Sequence, residues 1–480
     1  MISWFDLFLI TQMNPEGSPM FSRETHTARR NELKAKLDTG IILLLGNSES
    51  PMNYADNCYR FRQDSSFLYY FGLNQPDLAA VIDLDEGRDI IFGDELTIDH
   101  IVWMGFLPTV KERAEQVGVN DTRPLNDLRE YLGKAAGAGR KVHFLPPYRP
   151  ENKLKLWNLL AVAPDQAAAG SSLELVQAVI AMRSVKSDEE IVEIEKAVDT
   201  SVDMHVAAMA MARPGTGEAE IAAEVERIAN AAGGGISFPV IATVHGETLH
   251  NHQHTNTLQS GDLFLLDAGA ETALGYAGDL SSTFPVDLKF TDRQKTIYNL
   301  SVAAYDAAVD SIAPGVPNLD VHLAAARTIA AGMKDLGLMK GNLEDAVTLG
   351  AHAMFFPCGV GHMMGLDVHD MEDLGEVYVG YEGKPKSTQF GLKSLRLARP
   401  LEPGFVLTVE PGIYFIPQLM DLWRSEERFT EFLDYDRLDA WRDFGGIRNE
   451  ESYLITADGK RRLGKKKPLT CDEVEAVRAG

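Results

Sequence analysis

The chain has 480 residues, of which 45% are hydrophobic and 24% charged, and this length predicts two domains rather than one ordinary core. Its formal net charge of -24 argues against a nucleic-acid partner, because phosphates would repel so acidic a surface. Its three cysteines, Cys58, Cys358 and Cys471, form no CxxC pair, which argues against a thiolate zinc site or a disulfide framework and favours a reducing compartment.

The chain begins with a short apolar stretch, MISWFDLFLI. It contains Asp6, no basic residue precedes it, and it is too short to cross a bilayer, so it fits neither a signal peptide nor a membrane span. We treat residues 1–20 as an N-terminal extension, in which Met13 and Met20 are alternative starts. We expect a cytoplasmic protein that has no membrane partner.

The next part of the chain alternates strand-like and helical patterns. Apolar runs predict strands at residues 41–46, at residues 78–93 as a hairpin that turns near Glu86-Gly87, and at residues 141–147. The pattern breaks at AAAGSS, residues 167–172. We therefore predict a small α/β domain over residues 21–170 and a second domain over residues 171–480.

Two helices are predicted near the start of the second domain. Ser187 and Glu190 have the spacing of a capping box, and the apolar pattern after them continues until Pro214-Gly215. A second helix is predicted over residues 218–232, before three glycines. The Pro-Gly pair and the helical pattern after it recur at Pro314-Gly315, which indicates an internal repeat.

The repeat extends to two acidic strands. GDLFLLDAG (residues 261–269) and GFVLTVEPG (residues 404–412) each run from a glycine to an acidic residue, Asp267 or Glu410. A second acid follows in each half, Asp279 and Glu450. We expect one curved sheet backed by helices, whose quasi-twofold halves join near residues 290–320 and bring four carboxylates to their boundary. The alternative is that these carboxylates face solvent, as isolated acidic residues usually do.

The stretch CGVGHMMGLDVHD (residues 358–370) places His362 and His369 on an apolar, glycine-rich segment. The spacing differs from the helical HExxH pattern, and the glycines predict irregular backbone that something approaches closely. Four carboxylates and one imidazole suit two divalent ions, because without cations the carboxylates would protonate. We take His362 as the imidazole ligand. The oxygen-rich set favours Mn²⁺, with Co²⁺ or Zn²⁺ as alternatives, and such ions can support amide hydrolysis.

Five segments in one order, DAGAE, GYAGDLSSTFPV, GHMMGLDVHD, TVEPGIYF and GGIRNEESY, resemble the pita-bread metallopeptidases, in particular aminopeptidase P and prolidase. YRFRQDSSFLYYFGL (residues 59–73) resembles the N-terminal domain of the same family, so the likeness covers nearly the whole chain. The resemblance implies an α/β (α+β) protein with a small creatinase-like N-terminal domain and a pita-bread catalytic domain. It also implies a homodimer that cleaves the bond between an N-terminal residue and a following proline.

The resemblance assigns roles to the metal-binding residues. It implies that Asp267 is a terminal ligand of one metal ion and that Asp279 and Glu450 bridge both ions. His362 and Glu410 complete the shell of the second ion, and Glu410 is also implied to carry a proton during catalysis.

The remaining site residues are implied by the same resemblance. His250 and His369 are non-ligand catalytic histidines, His369 donating a hydrogen bond to charge that develops on the attacked carbonyl; His252 and His254 are alternatives to His250. Arg448 orients a carboxylate, and Phe238 stands where relatives often have a tyrosine. Arg396, in SLRLAR, matches the arginine that holds the free carboxylate of a dipeptide in prolidases; its alternative is a solvated loop residue.

Several functions fit these residues. The leading interpretation is a binuclear Xaa-Pro aminopeptidase, and the alternative among enzymes is a strict Xaa-Pro dipeptidase. Metal-free pita-bread hydrolases such as creatinase lack the acidic ligands, and a module used only for binding has no reason to keep five of them. Residues 417–444, rich in charge and tryptophan, are expected to form a helical excursion over the site.

Overall fold

The computed structural model describes residues 21–480, so the predictions for the first twenty residues lie outside its described part. Within residues 21–480, no helix is both long and apolar enough to cross a membrane. The chain divides into two compact units between Arg183 and Ser184. This division falls one helix beyond the break at residue 170, because that helix buries Leu175 and Val179 and its Met182 Sδ accepts a hydrogen bond from the Tyr70 hydroxyl at 3.4 Å.

The first unit is a mixed sheet with helices. Its elements are α1 (Arg23–Lys34), β1 (Ile41–Leu45), α2 (Ser65–Phe71), β2 (Ala79–Asp83), β3 (Arg88–Phe92), α3 (Ile98–Met104), α4 (Val110–Gln116), β4 (Asp121–Arg123), α5 (Asp127–Gly137), β5 (Val142–Phe144), α6 (Pro150–Leu160) and α7 (Leu173–Ser184). The strand order is β4-β3-β2-β1-β5, antiparallel in the centre and parallel at both edges. The predicted strands and the hairpin through Glu86-Gly87 are confirmed, because the apolar side chains of β1 to β3 form the core.

The second unit contains the predicted repeat. Its elements are α8 (Asp188–Met211), α9 (Glu218–Ala231), β6 (Gly235–Ile236), β7 (Ile241–Thr243), β8 (Leu263–Asp267), β9 (Ala270–Glu271), β10 (Ser281–Pro285), α10 (Asp292–Ser311), α11 (Asn318–Asp335), α12 (Leu343–Leu349), α13 (Glu376–Tyr381), β11 (Val406–Val409), β12 (Gly412–Phe415), α14 (Pro417–Ser425), α15 (Tyr435–Leu438), β13 (Gly445–Arg448), β14 (Glu451–Ile455), β15 (Lys460–Arg462) and α16 (Cys471–Ala479). Each half places two long helices, α8 and α9 or α10 and α11, before its acidic strand. The capping box of Ser187 and Glu190 begins α8 as predicted.

The expectation of one continuous sheet is wrong. Strand β8 lies in the ladder β10-β8-β7, whereas β11 lies in the ladder β11-β14-β15, and β12 pairs with β13 apart from both. The two halves meet through polar contacts instead: the Arg448 N–H donates to Thr283 Oγ1 at 3.0 Å, and the Glu450 N–H donates to the Ser281 carbonyl at 3.1 Å.

One interruption separates β11 from β12 and β13 from β14. Val409 pairs with Glu451 and Gly412 pairs with Arg448, so the register continues across the gap. Pro411 has no N–H to donate, and the Glu410 N–H donates to the Val360 carbonyl at 2.7 Å instead. A single long hairpin is therefore broken at the two positions where Glu410 and Glu450 stand.

The histidine stretch is irregular, as its glycines predict. Gly361 lies against strand β11, where a Cβ atom would overlap the backbone oxygen of Thr408. The Thr408 N–H donates to the His362 carbonyl at 3.0 Å, which joins the stretch to that strand.

We expect Gly361→Ala to destabilise the protein by about 1–3 kcal/mol, the usual cost of forcing an extra methyl group into a packed site. Gly459→Ala is the matched control, because a Cβ there meets no atom within 4 Å. Guanidinium unfolding of both variants at equal metal loading measures the difference. Equal midpoints for Gly361→Ala and the wild type would contradict the close approach.

Candidate metal centre and substrate cavity

The second unit contains a cavity of about 680 Å³. All ten residues predicted for the site line it: Phe238, His250, Asp267, Asp279, His362, His369, Arg396, Glu410, Arg448 and Glu450. They come from sequence positions more than 200 residues apart, so the fold brings together what the sequence only suggested as a set.

The four carboxylates lie at or near strand ends and at the interruption between the paired strands. Asp267 is the last residue of β8, and Asp279 stands two residues before β10, which pairs with β8. Glu410 and Glu450 stand in the break between the paired strands of the other half. Asp267, Asp279 and Glu450 are buried, so the solvent-facing alternative is wrong for these three.

His362 directs one ring nitrogen at the carboxylates. Its Nδ1 contacts the Met363 carbonyl at 3.0 Å; because a carbonyl only accepts, Nδ1 carries the proton. Its Nε2 lies 3.3 Å from Asp279 Oδ2 and 3.5 Å from Glu410 Oε1. A neutral imidazole with its other nitrogen fixed by a carbonyl is the usual form of a metal-binding histidine.

The donor set fits a divalent cation. Asp279, His362 and Glu450 each offer one ligand atom, and these atoms lie within 4.8 Å of one another. Asp279 Oδ1 and Glu450 Oε1 are buried without a hydrogen-bond partner among the described residues. Buried oxygens without partners are costly, and a cation would satisfy both.

The electrostatics of the carboxylates also call for a cation. Burial and the nearby charges of Asp267 and Glu410 raise the pKa of Asp279 well above its usual range. Burial and the neighbouring carboxylates likewise raise the pKa of Glu450 and of Glu410. Groups in this state bind protons unless positive charge is supplied, and a divalent ion supplies it.

Arg448 provides part of that charge. Its Nη2 donates to Asp267 Oδ2 at 2.6 Å, its Nη1 donates to the Tyr414 hydroxyl at 2.7 Å, and its Nε donates to Ser281 Oγ at 2.9 Å. Ser281 Oγ in turn donates to Glu450 Oε2 at 2.7 Å. Arg448 therefore orients one predicted ligand directly and a second through Ser281.

His369 lies beside His362 without sharing its contacts. The ring centroids are 4.3 Å apart, and His369 Nδ1 lies 2.6 Å from Glu372 Oε2. Burial, together with the neighbouring His362 and Arg396, lowers the pKa of His369 to about 2. The stretch that carries both histidines is held by a buried ion pair between Lys186 Nζ and Asp370 Oδ2 at 2.7 Å.

The histidine loop before β8 presents two side chains to the cavity. His250 and His252 both line it, with ring centroids 6.4 Å apart. His254 does not line it, and its Nε2 contacts the Val240 carbonyl at 3.0 Å. Of the alternatives to His250, only His252 is therefore placed near the ligands.

Arg396 stands at the cavity wall between two acids. Its Nε lies 3.3 Å from Glu372 Oε2 and 3.5 Å from Glu376 Oε1. Lys386 forms a further ion pair with Glu376. Lys393 also lines the cavity, and no carboxylate partner for it is found among the described residues.

Three contributors to the site escaped sequence analysis: Ser281, Tyr414 and Glu372. Ser281 and Tyr414 lie two and four residues beyond the ligands Asp279 and Glu410, so alternation along a strand placed them on the ligand face. Glu372, three residues after His369, had no comparable signal, because the backbone there is irregular.

The excursion over residues 417–444 is helical, as expected, and consists of α14, α15 and a short 3-10 turn at Asp439–Trp441. None of these residues, all of which the structure describes, lines the cavity. The expectation that the excursion covers the site is therefore wrong. Its aromatic side chains pack on one another and on β12 instead: the rings of Trp423 and Phe429 lie 5.3 Å apart, and Trp441 stacks on Phe415 of β12 at 5.2 Å.

Comparisons with known proteins agree with this arrangement. Residues 192–457 match the model of metallopeptidase family M24, and residues 26–143 match that of the aminopeptidase P N-terminal domain. A human Xaa-Pro dipeptidase is 31% identical over 455 residues, covering 92% of this chain and 89% of the relative. An Escherichia coli Xaa-Pro aminopeptidase is 28% identical, covering 95% and 98%. The structure of Pseudomonas aeruginosa aminopeptidase PepP superimposes with a TM-score of 0.78 at 28% identity, covering 96% of this chain and 98% of that one.

We expect Asp279→Asn to lose at least one bound divalent ion per chain, because a neutral amide cannot offset the charge of the cation. Asp310→Asn, at an exposed position on α10, is the control and should keep the metal content of the wild type. Elemental analysis after gel filtration measures both. Full metal occupancy in Asp279→Asn would contradict a ligand role for this residue.

Proposed function

The chain belongs to metallopeptidase family M24, and from this premise we propose that it is an Xaa-Pro aminopeptidase, with strict Xaa-Pro dipeptidase as the alternative. The observation that carries the proposal is the convergence of all five predicted ligands on one cavity. The names of the relatives supply the bond: both the human and the E. coli relative are named for Xaa-Pro substrates.

We propose that the five ligands hold two divalent ions, with Mn²⁺ the first candidate. Arg448 contacts Asp267 at 2.6 Å, and His362 lies 3.3 Å from Asp279 and 3.5 Å from Glu410. The family resemblance assigns Asp279 and Glu450 to both ions. When bound, such ions supply an activated water and polarise the carbonyl of the scissile bond.

Side chains of the protein are proposed to transfer the proton and to contact the peptide. Glu410 Oε1 lies 3.5 Å from His362 Nε2 in the ligand cluster, so its carboxylate is suited to take a proton from the attacking water and pass it to the leaving nitrogen. That proton matters because the leaving nitrogen must depart as an amine and not as a strongly basic anion. His250 and His369 line the same cavity without belonging to the proposed ligand set, and this position supports the proposal that they contact the peptide.

Peptide length separates the two enzymatic interpretations. A strict dipeptidase must recognise the free carboxylate that follows proline, and Arg396 is the cavity residue proposed for this contact. Its guanidinium already faces Glu372 and Glu376, so a substrate carboxylate would compete with two acids. This competition favours the aminopeptidase interpretation. Hydrolysis of Xaa-Pro dipeptides, Xaa-Pro-Yaa tripeptides and Xaa-Ala-Yaa controls measures both the accepted peptide length and the specificity for proline. If the enzyme cleaves neither kind of proline peptide, the proposal is refuted.

A strict dipeptidase predicts that Arg396→Met raises KM for Ala-Pro by about tenfold or more, the effect of losing one charge-assisted hydrogen bond. We expect little change instead, because Arg396 is already paired with Glu372 and Glu376. The matched substrate is Ala-Pro-amide, which lacks the terminal carboxylate, and its KM should change little. Steady-state kinetics on this pair give the answer. Equal increases in KM for both substrates would show that Arg396 does not bind the carboxylate.

We expect His362→Ala and His369→Ala to fail differently. His362→Ala removes a metal ligand, so metal affinity should fall and excess Mn²⁺ should restore part of the turnover. His369→Ala should keep the metal content of the wild type and lose about 100- to 1000-fold in turnover, the typical cost of one oriented polar contact to the transition state. Metal titration followed by turnover measurements distinguishes the two variants. If both lose metal to the same extent, His362 and His369 do not have the separate roles proposed for them.

The resident metal, the cytoplasmic location and the homodimer remain predictions. Metal analysis of protein purified without added metal tests the first, and sedimentation velocity tests the third. A monomer at micromolar concentration would contradict the homodimer.

A further inference from the structure

Glu372 makes two contacts at the edge of the cavity. Its Oε2 lies 2.6 Å from His369 Nδ1 and 3.3 Å from Arg396 Nε, so one oxygen serves an imidazole and a guanidinium. This oxygen accepts from the Arg396 Nε–H, so it is the acceptor in the contact with the imidazole as well. The proton shared with the imidazole therefore sits on His369 Nδ1.

The backbone places Glu372 under His369 at a conformational cost. Met371, between them, has φ 63°, in the left-handed region that non-glycine residues rarely adopt. The turn is closed by the Glu372 N–H, which donates to the His369 carbonyl at 3.2 Å, and the Met371 side chain is buried. Strain of this kind persists where the surrounding structure over-determines it, and it clusters at functional sites.

We propose that Glu372 is a positioning residue that holds the His369 ring through its Nδ1–H and thereby turns Nε2 toward the substrate. His369 lines the cavity, and no partner for its Nε2 is found among the described residues.

Arg396 contacts the same Glu372 carboxylate as His369 does. Because Glu372 contacts both side chains through one oxygen, the orientation of His369 and the position of Arg396 depend on a single carboxylate. Glu376 also contacts Arg396 but makes no described contact with His369, so the chain supplies a matched comparison.

The test uses nitrogen chemical shifts of histidine, which report directly which ring nitrogen carries the proton. Protein labelled with ¹⁵N-histidine is loaded with Zn²⁺, which is diamagnetic, and the His369 signals are assigned by their absence in His369→Gln. We expect the wild type to show His369 protonated on Nδ1. Glu372→Met, which keeps the side-chain volume but cannot accept the proton, should shift this ring toward the Nε2-protonated form. Glu376→Met should retain the wild-type signals.

Kinetics provide the second measurement. On the peptide that the wild type cleaves best, Glu372→Met should lower kcat by about 10- to 100-fold, the usual effect of removing a residue that orients a site histidine, with unchanged metal content. A merely structural role would leave the protonation of His369 Nδ1 in Glu372→Met as in the wild type, and that result overturns the proposal, as does a wild-type ring protonated on Nε2 alone.

The test also covers a variant that fails to fold and a protein that lacks the proposed activity. If Glu372→Met does not fold, Glu372→Gln replaces it: its amide can donate as well as accept, so a mixture of both protonated forms is expected, and a wild-type spectrum overturns the proposal. The inference concerns the proposed peptidase site, but the histidine spectra require no substrate. A protein that cleaves no Xaa-Pro peptide yet shows the expected spectra would refute the proposed function and leave the role of Glu372 standing.

Discussion

Mutual repulsion among buried carboxylates is the constraint on which the second unit depends. Asp267, Asp279, Glu410 and Glu450 meet in one cavity, and burial raises the pKa of the last three. Arg448 neutralises about one charge, which leaves more negative charge than the protein itself offsets. Without a cation the cluster would take up protons, so metal binding and the ionisation of the site are one equilibrium.

Backbone geometry solves the problem of bringing four acids to one place. A strand interior presents alternate side chains to opposite faces, so neighbouring acids would point apart. At Glu410-Pro411 and at the opposite positions Asn449-Glu450, the hydrogen bonds between the two strands are interrupted. The Glu450 N–H donates instead to the carbonyl of Ser281 in the other half. The same break therefore releases two ligands and connects the two halves of the repeat.

Polar contacts behind the ligands set their orientation. Arg448 links Asp267, Tyr414 and Ser281, and the carbonyl of Met363 fixes the proton of His362. A comparable contact from Glu372 holds His369. Removing such a contact leaves a ligand present but free to rotate, which is why residues outside the ligand set are expected to matter for catalysis.

Much of the local structure was determined by the sequence itself. The capping box at Ser187, the apolar runs of the first unit and the acidic strands of the repeat were predictable, because caps, periodicity and turns depend on neighbouring residues. The ten predicted site residues, several of them implied only by the family resemblance, all line one cavity, and their roles remain predictions. Tertiary structure alone decided what depends on distant partners: the division of the sheet into separate ladders, the helix that carries the first unit to Arg183, and the placement of the tryptophan-rich excursion away from the cavity. It also decided the partners of Arg396 and His369, because an irregular loop with a left-handed residue at Met371 has no periodicity from which the contact with Glu372 could be predicted.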